Sequence, residues 1–208
     1  VLVQLSSGRS SADLNGQYHV VRQTFTNGAG VSSVSDLGVI TFDGSGGYNE
    51  SGDRRTVAVS GATAMAPYVA AGSYAVAADG TFTSGTGLGA ITADGELFFA
   101  VTTSGPSAGL VVGVRRGTGL TAGDFVGSWG LVGADVVHGS GVGLPRYEND
   151  FLRAAVTSQG ATTGTLVGTS ILITIDPLGA SLQTPTLNDQ FTITGDGSIL
   201  GNVGNPPP

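Results

Sequence analysis

The stretch VLVQLSSGRSSADLNGQYHVV, Val1 to Val21, returns without gaps as VGVRRGTGLTAGDFVGSWGLV, Val112 to Val132, at a spacing of about 111 residues. Val1, Val3, Gly8, Asp13, Gly16 and Val21 are identical to their partners, and Leu14/Phe125 and Tyr18/Trp129 keep their character. A second phrase, Tyr74 to Phe82, returns as Phe191 to Ile199 at a spacing of about 117, so the second copy carries a small insertion. Gly16-Gln17-Tyr18, Gly72-Ser73-Tyr74 and Gly127-Ser128-Trp129 add a weaker half-period. A chain written this way has to fold one supersecondary plan twice.

That plan is β. No window places apolar residues at i, i+3, i+4 and i+7 over three turns. Only Gly61 to Ala71 has a helical composition, and Pro67 cuts it, which leaves one short helical turn at most. Short β-branched or aromatic runs are frequent instead: Tyr18–Thr26, Leu37–Phe42, Arg55–Ser60, Glu96–Thr103, Gly109–Arg115, Ser170–Ile175 and Gln190–Gly195. Asp43-Gly44, Asp79-Gly80, Asp94-Gly95 and Asp196-Gly197 punctuate them, and Asp-Gly is the signature of type I′ hairpin turns. Hairpins without crossover helices imply an antiparallel meander. The expected fold class is all-β: two tandem antiparallel meander units, small barrels or sandwiches, with almost no helix.

The repeat also sets expected boundaries. Residues 1–12 form an orphan N-terminal strand, 13–122 a first unit of about eight strands, and 123–208 a second, incomplete unit with a Pro-rich tail. Val1, Leu2, Val3, Gln4 and Leu5 match the last strand of a unit, whereas no counterpart of Glu96 to Arg116 follows the second hairpin phrase. Unpaired sheet edges invite pairing. The N-terminal strand could therefore close the second unit within its own chain, or close that of the next molecule by β-strand addition. The plainer alternative is a longer repeat protein cut at arbitrary points.

Composition narrows the partners. Among 208 residues the hydrophobic share of 40% can fill a core, while the charged share is only 11% and Gly numbers 36. The usual charged share is about a quarter, so this surface has to be built from Ser, Thr, Gly and Asn. All basic residues are Arg, and the net charge of −7 argues against nucleic acid or an anionic membrane surface as partner. No apolar run approaches a membrane helix, which needs roughly 20 residues. Absence of Cys removes disulfides, thiolate metal sites and thiol nucleophiles. The start at Val1, with Met65 the single Met, suits an exported protein stripped of its signal peptide, or a fragment.

The phrase FVGSWGLVGADVV, with Gly-x-Trp opening a strand, resembles the first strand of lipocalins and of avidin-type barrels. LNGQYHVV followed by ITFDGSGGY has the same cast. The resemblance covers about ten residues per unit and implies a closed antiparallel barrel able to hold one small apolar ligand. It makes Tyr18, Tyr74, Trp129 and Phe191 candidate ligand-lining residues. It also implies a late Arg packed on the opening aromatic, a part that Arg115 or Arg116 could play for Tyr18. The Gly-rich, Lys-free, turn-punctuated style is similar to secreted or surface β proteins of high-GC bacteria.

Catalytic and metal patterns are weak. GPSAG, Gly105 to Gly109, matches a nucleophile elbow, yet Ser107 lies in a hairpin loop rather than on a strand-to-helix turn. GTGLTA, Gly117 to Ala122, imitates a dinucleotide loop with no helix expected after it. His19 and His138 stand without ligand spacing. Asp43, Asn49, Glu50 and Asp53 form an oxygen-rich stretch that could hold calcium but reads first as a solvated hairpin, so a metal is left unknown. Asn49-Glu50-Ser51 is formally a glycosylation sequon. No cofactor is expected. The expected function is a non-catalytic extracellular or cell-surface structural subunit that self-associates into an oligomer or filament. The alternative is a lipocalin-like or avidin-like binder.

Overall fold

A computed structural model describes residues 7–26, 32–58, 62–137, 146–176 and 179–202. The chain divides into two compact units, Val1–Arg116 and Gly117–Pro208. Both are built from antiparallel strands, and among the described residues the helical elements are two short 3-10 turns, Ser11–Asp13 and Ala122–Phe125.

The first unit contains β1 (Asn15–Thr26), β2 (Ser32–Asp43), β3 (Gly47–Val57), β4 (Thr63–Ser73), β5 (Ala75–Val76), β6 (Thr81–Ser84), β7 (Gly87–Ile91), β8 (Leu97–Ser104) and β9 (Ser107–Arg115). They form one sheet in the order β4-β3-β2-β1-β9-β8-β7-β6-β5. The two ends of that order, β4 and β5, are separated in the chain by Tyr74 alone. The sheet must therefore curl until its ends meet there, which makes a half-barrel. Tyr74 ties the junction by donating its backbone N–H to the Gly46 carbonyl at 2.8 Å. Inward-facing positions along β1 are the even-numbered residues, so Tyr18, Val20 and Arg22 share one interior row with Ile40, Gly38 and Asp36 of β2.

Aromatic rings fill one end of this interior. Tyr18, Phe42, Tyr74, Phe82 and Phe98 are buried, and Phe42 lies within 4.7 to 6.3 Å of the other four rings. Edge-to-face geometry prevails, as the ring quadrupoles favour. Phe98 fits because β9 carries Gly113 opposite it: a Cβ there would stand 2.0 Å from the Phe98 ring. Tyr18 donates its hydroxyl to the Gly95 carbonyl at 2.7 Å, and the Arg115 guanidinium lies 4.8 Å from the Tyr18 ring centre. Burial pushes the Tyr18 phenol up to about 12, with Arg115 pulling the other way.

The second unit contains β10 (Gly127–Val137), β11 (Arg146–Ser158), β12 (Thr163–Asp176), β13 (Gly179–Gln183), β14 (Thr186–Ile193) and β15 (Ile199–Asn202). Their order is β10-β11-β12-β14-β15, with β13 also on β12. Its first strands repeat those of the first unit closely. Gly16 and Gly127 both take positive φ, at +102° and +146°, and so do Gly8 and Gly119, at +78° and +67°. Each 3-10 turn is capped alike: the backbone N–H of Ser10 reaches Asp13 at 2.7 Å, and that of Thr121 reaches Asp124 at 2.8 Å. Arg9 N–H bonds to the Ala78 carbonyl as Leu120 N–H bonds to that of Gly195. Strands β1 to β6 thus have counterparts in the second unit; β7, β8 and β9 have none among the described residues.

Three expectations are corrected. Residues 63–71 are no helical turn but part of β4, and Pro67 is tolerated because β4 ends the sheet order and needs no donor on its outer side. The Asp-Gly turns join antiparallel neighbours as expected, yet among the described residues only Gly has positive φ, so they are not type I′. Instead each Asp accepts backbone N–H groups ahead of it, as Asp43 does from Ser45 and Gly47 at 2.8 Å, and the Gly alone turns left-handed. Those bonds favour the ionised form and hold the Asp43 carboxyl below its usual range. The GTGLTA loop does lead into a helical element, the 3-10 turn Ala122–Phe125, which is too short to present an anion site.

Candidate functional site

The interior of the half-barrel changes character along the strands. Above the aromatic end the inward row passes through Arg22 on β1, Asp36 on β2, Glu50 and Arg54 on β3, and Tyr68 on β4. Arg22 bridges two acids, donating to Asp36 at 3.1 Å and to Glu50 at 2.8 Å. Arg54 forks onto Asp36 through Nε and Nη2, at 2.7 and 2.8 Å. Tyr68 donates its hydroxyl to Glu50 at 2.5 Å and supports Arg54, which lies 5.0 Å from its ring centre. Asp36 and Glu50 are only 2% and 3% exposed. Two cations and two anions make the cluster formally neutral, which offsets the cost of burying each charge.

The titration behaviour follows from the contacts. Burial works to raise the Asp36 carboxyl, but the bonds from Arg54 and Arg22 outweigh it and hold it below the usual range. Burial likewise works against the Arg22 charge, and Glu50 and Asp36 overcome it. Burial and the Glu50 carboxylate both push the Tyr68 phenol up.

Glycine makes room for this cluster. Gly38 and Gly52 oppose each other on β2 and β3, and a Cβ on Gly52 would stand 2.5 Å from the Gly38 Cα. A Cβ on Gly38 would also meet the Tyr68 hydroxyl at 3.0 Å. Tyr68 therefore crosses bare backbone to reach Glu50.

Between the aromatic end and the charged row lies a cavity of about 120 Å³, whose lining includes Arg22, Tyr48, Phe82, Phe98, Ala100 and Thr102. Small-molecule pockets commonly run from about 300 Å³ upward. A wider and shallower hollow of about 480 Å³ lies on the opposite face of the sheet, against Gln17, Val39, Asn49, Val69 and Arg116.

The structure distributes the sequence-derived candidates unevenly. Tyr18 and Tyr74 come together, but inside the packed aromatic end, with Tyr74 donating to the Leu14 carbonyl at 2.7 Å. Phe191 is buried in the second unit, over Gly164. Trp129 is 41% exposed, stacked on Phe125 and donating to its carbonyl. Val1 to Leu5 and His138 lie outside the described residues. Ser107 opens β9, where its hydroxyl bonds Thr26 at 2.9 Å. His19 is half-buried on the outer face.

The oxygen-rich stretch is corrected: Gly47–Val57 is strand β3, so alternation turns Glu50 inward while Asn49 and Asp53 face out. Asp43 ends β2, on the far side of the turn. Among the described residues no group of three His, Cys, Asp or Glu converges as metal ligands. Sequence reasoning missed the charged row, although its signal is present: Tyr48, Glu50, Gly52 and Arg54 alternate with period two, as do Arg22 and Val20. Comparison with protein-family models, with curated proteins and with solved structures returns no match for this chain.

Proposed function

We propose that this chain is a non-catalytic extracellular structural subunit that self-associates by β-strand addition at the free edge of its second unit. One observation carries the reading. Strand β1 is held between β2 and β9, whereas its counterpart β10 pairs with β11 alone among the described residues. The backbone groups along the other side of β10 are the kind of edge that a further strand completes.

The repeat supplies a donor and a register. In the first unit Val112 pairs with Val21 and Val114 with His19. Carried over by the repeat, Val1 of a donor strand falls opposite Val132, and Val3 opposite Gly130. The low charge and the Ser, Thr and Gly surface support an extracellular setting. A second reading, a lipocalin-like barrel that holds a ligand, draws on the packing of Arg115 over Tyr18.

Light scattering on the full chain and on a variant lacking Val1 to Leu5 tests the assembly reading. Oligomers in the full chain and monomers in the variant are expected. Assembly of unchanged size in the variant would overturn it. A monomeric full chain whose Trp129 emission shifts on deletion would place the donor strand within its own chain, and would overturn self-association as well.

A further inference from the structure

The charged row inside the first unit is not needed to build this sheet. Pairing registers carry its five positions into the second unit, where the same strands form. Arg22 corresponds to Gly133, Asp36 to Asp150, Glu50 to Gly168, Arg54 to Leu172 and Tyr68 to Pro185. Four of the five positions carry no charge there. Buried ion pairs contribute little net stability against apolar replacements, so folding alone does not account for the row in the first unit.

One member of the row, Arg22, lines the 120 Å³ cavity, and the others hold it in place. Arg22 is the charged residue of the cavity lining. Of its five N–H donors it uses one of Nη1 on Asp36 and one of Nη2 on Glu50, and the rest remain available to an acceptor. The opposite wall is apolar, with Phe82 and Phe98, and Thr102 adds a hydroxyl. The cluster is already charge-balanced, so an anionic guest would leave an uncompensated buried charge, and a cation would meet Arg22. A neutral guest avoids both costs. For size, a cavity of about 150 Å³ accommodates benzene, so this one suits a slightly smaller ring.

We propose that the cavity between Arg22 and Phe98 is a binding site for a small neutral ring bearing one oxygen acceptor, of the size of a five-membered cyclic ketone or lactone. The ring lies against Phe82 and Phe98, and its oxygen accepts from the Arg22 guanidinium. This site is independent of assembly through β10.

Titration of the full chain with cyclopentanone and γ-butyrolactone, followed by backbone amide shifts, tests it. Cyclopentane serves as the control without an acceptor and butyrate as the charged one. The amides of Ala100 and Val111 are expected to move in a saturable way with the ketone or lactone. Cyclopentane should bind at least about tenfold more weakly, the equivalent of one lost hydrogen bond, and butyrate should leave the shifts in place. Ala100→Leu, which extends a buried lining residue into the space, should keep the fold and abolish the response. Three results would each overturn the proposal: no saturable shift at about 10 mM ketone or lactone, an equal response in the folded Ala100→Leu protein, or tighter binding of butyrate.

Discussion

Tyr18 and Trp129 occupy the same place in two copies of one plan, yet Tyr18 is 0% exposed and Trp129 is 41% exposed. The strands that carry them begin alike, after the same capped 3-10 turn and the same positive-φ glycine. What differs is what comes to meet them. Tyr18 is covered by the Gly95 carbonyl of the β7–β8 turn and by Arg115 at the end of β9. The second unit has no described counterpart of those elements, and its aromatic lies on Phe125 instead. Burial of the opening aromatic is thus a property of closure rather than of the Gly-x-aromatic motif.

The largest test of that contrast sets Phe98→Ala against Phe191→Ala. Phe98 is buried against the rings of Tyr18, Phe42 and Phe82, so its truncation should cost about 3–5 kcal/mol in denaturant unfolding of the first unit. Phe191 has fewer closing neighbours and should cost less; equal losses would break the comparison. Next comes the charged row. Glu50→Ala leaves Arg22 short of a partner and Tyr68 without an acceptor, at about 3 kcal/mol. Arg54→Leu copies the residue that the second unit uses, Leu172, and leaves Asp36 still bonded to Arg22. It should cost about 2 kcal/mol, less than Glu50→Ala because Arg54 itself is partly exposed, but not negligible because the buried Asp36 charge is left with Arg22 alone. Reversal of that order, measured by thermal melting, would show that the sheet itself depends on the row.

Acid and alkali sharpen the contrast by smaller amounts. The Asp36 carboxyl lies lower in the folded protein than in the unfolded chain, so its stabilising effect is present above about pH 4 and is lost as pH falls below that. Melting temperatures of Asp36→Asn, measured across this range, should lack that component of the acid loss. At the other end, the Tyr18 phenol is raised to about 12, so it favours the folded state below about pH 10 and this contribution disappears as pH climbs towards 12. An ultraviolet titration of Tyr18→Phe should lose one late-ionising phenol relative to the parent protein. Trp129 emission reports separately on the second unit in the same samples.

Much of the fold was legible because strands and turns are local. Alternating β-branched residues marked most strands, and each Asp-Gly marked a real hairpin, although the Asp side chain and not a mirror-image turn shapes it. The segments 43–53 and 61–71 were misread for one shared reason. Their inward residues include Glu50, Gly52, Ala66 and Tyr68, so the aliphatic half of the alternation that identifies a strand is missing.

The sequence by itself determined that one β plan is used twice, that its strands are antiparallel, and where the turns fall. Those follow from side-chain period and turn chemistry, which act over a few residues. Only the tertiary structure decided that the first sheet curls at Tyr74, that β9 returns to β1, and that Arg22, Asp36, Glu50, Arg54 and Tyr68 share one interior. These depend on strands up to a hundred residues apart, Asn15 and Arg115 for example, which touch at 2.6 Å. Pairings of that range are selected by the packing of the whole interior, which no local stretch of the chain encodes.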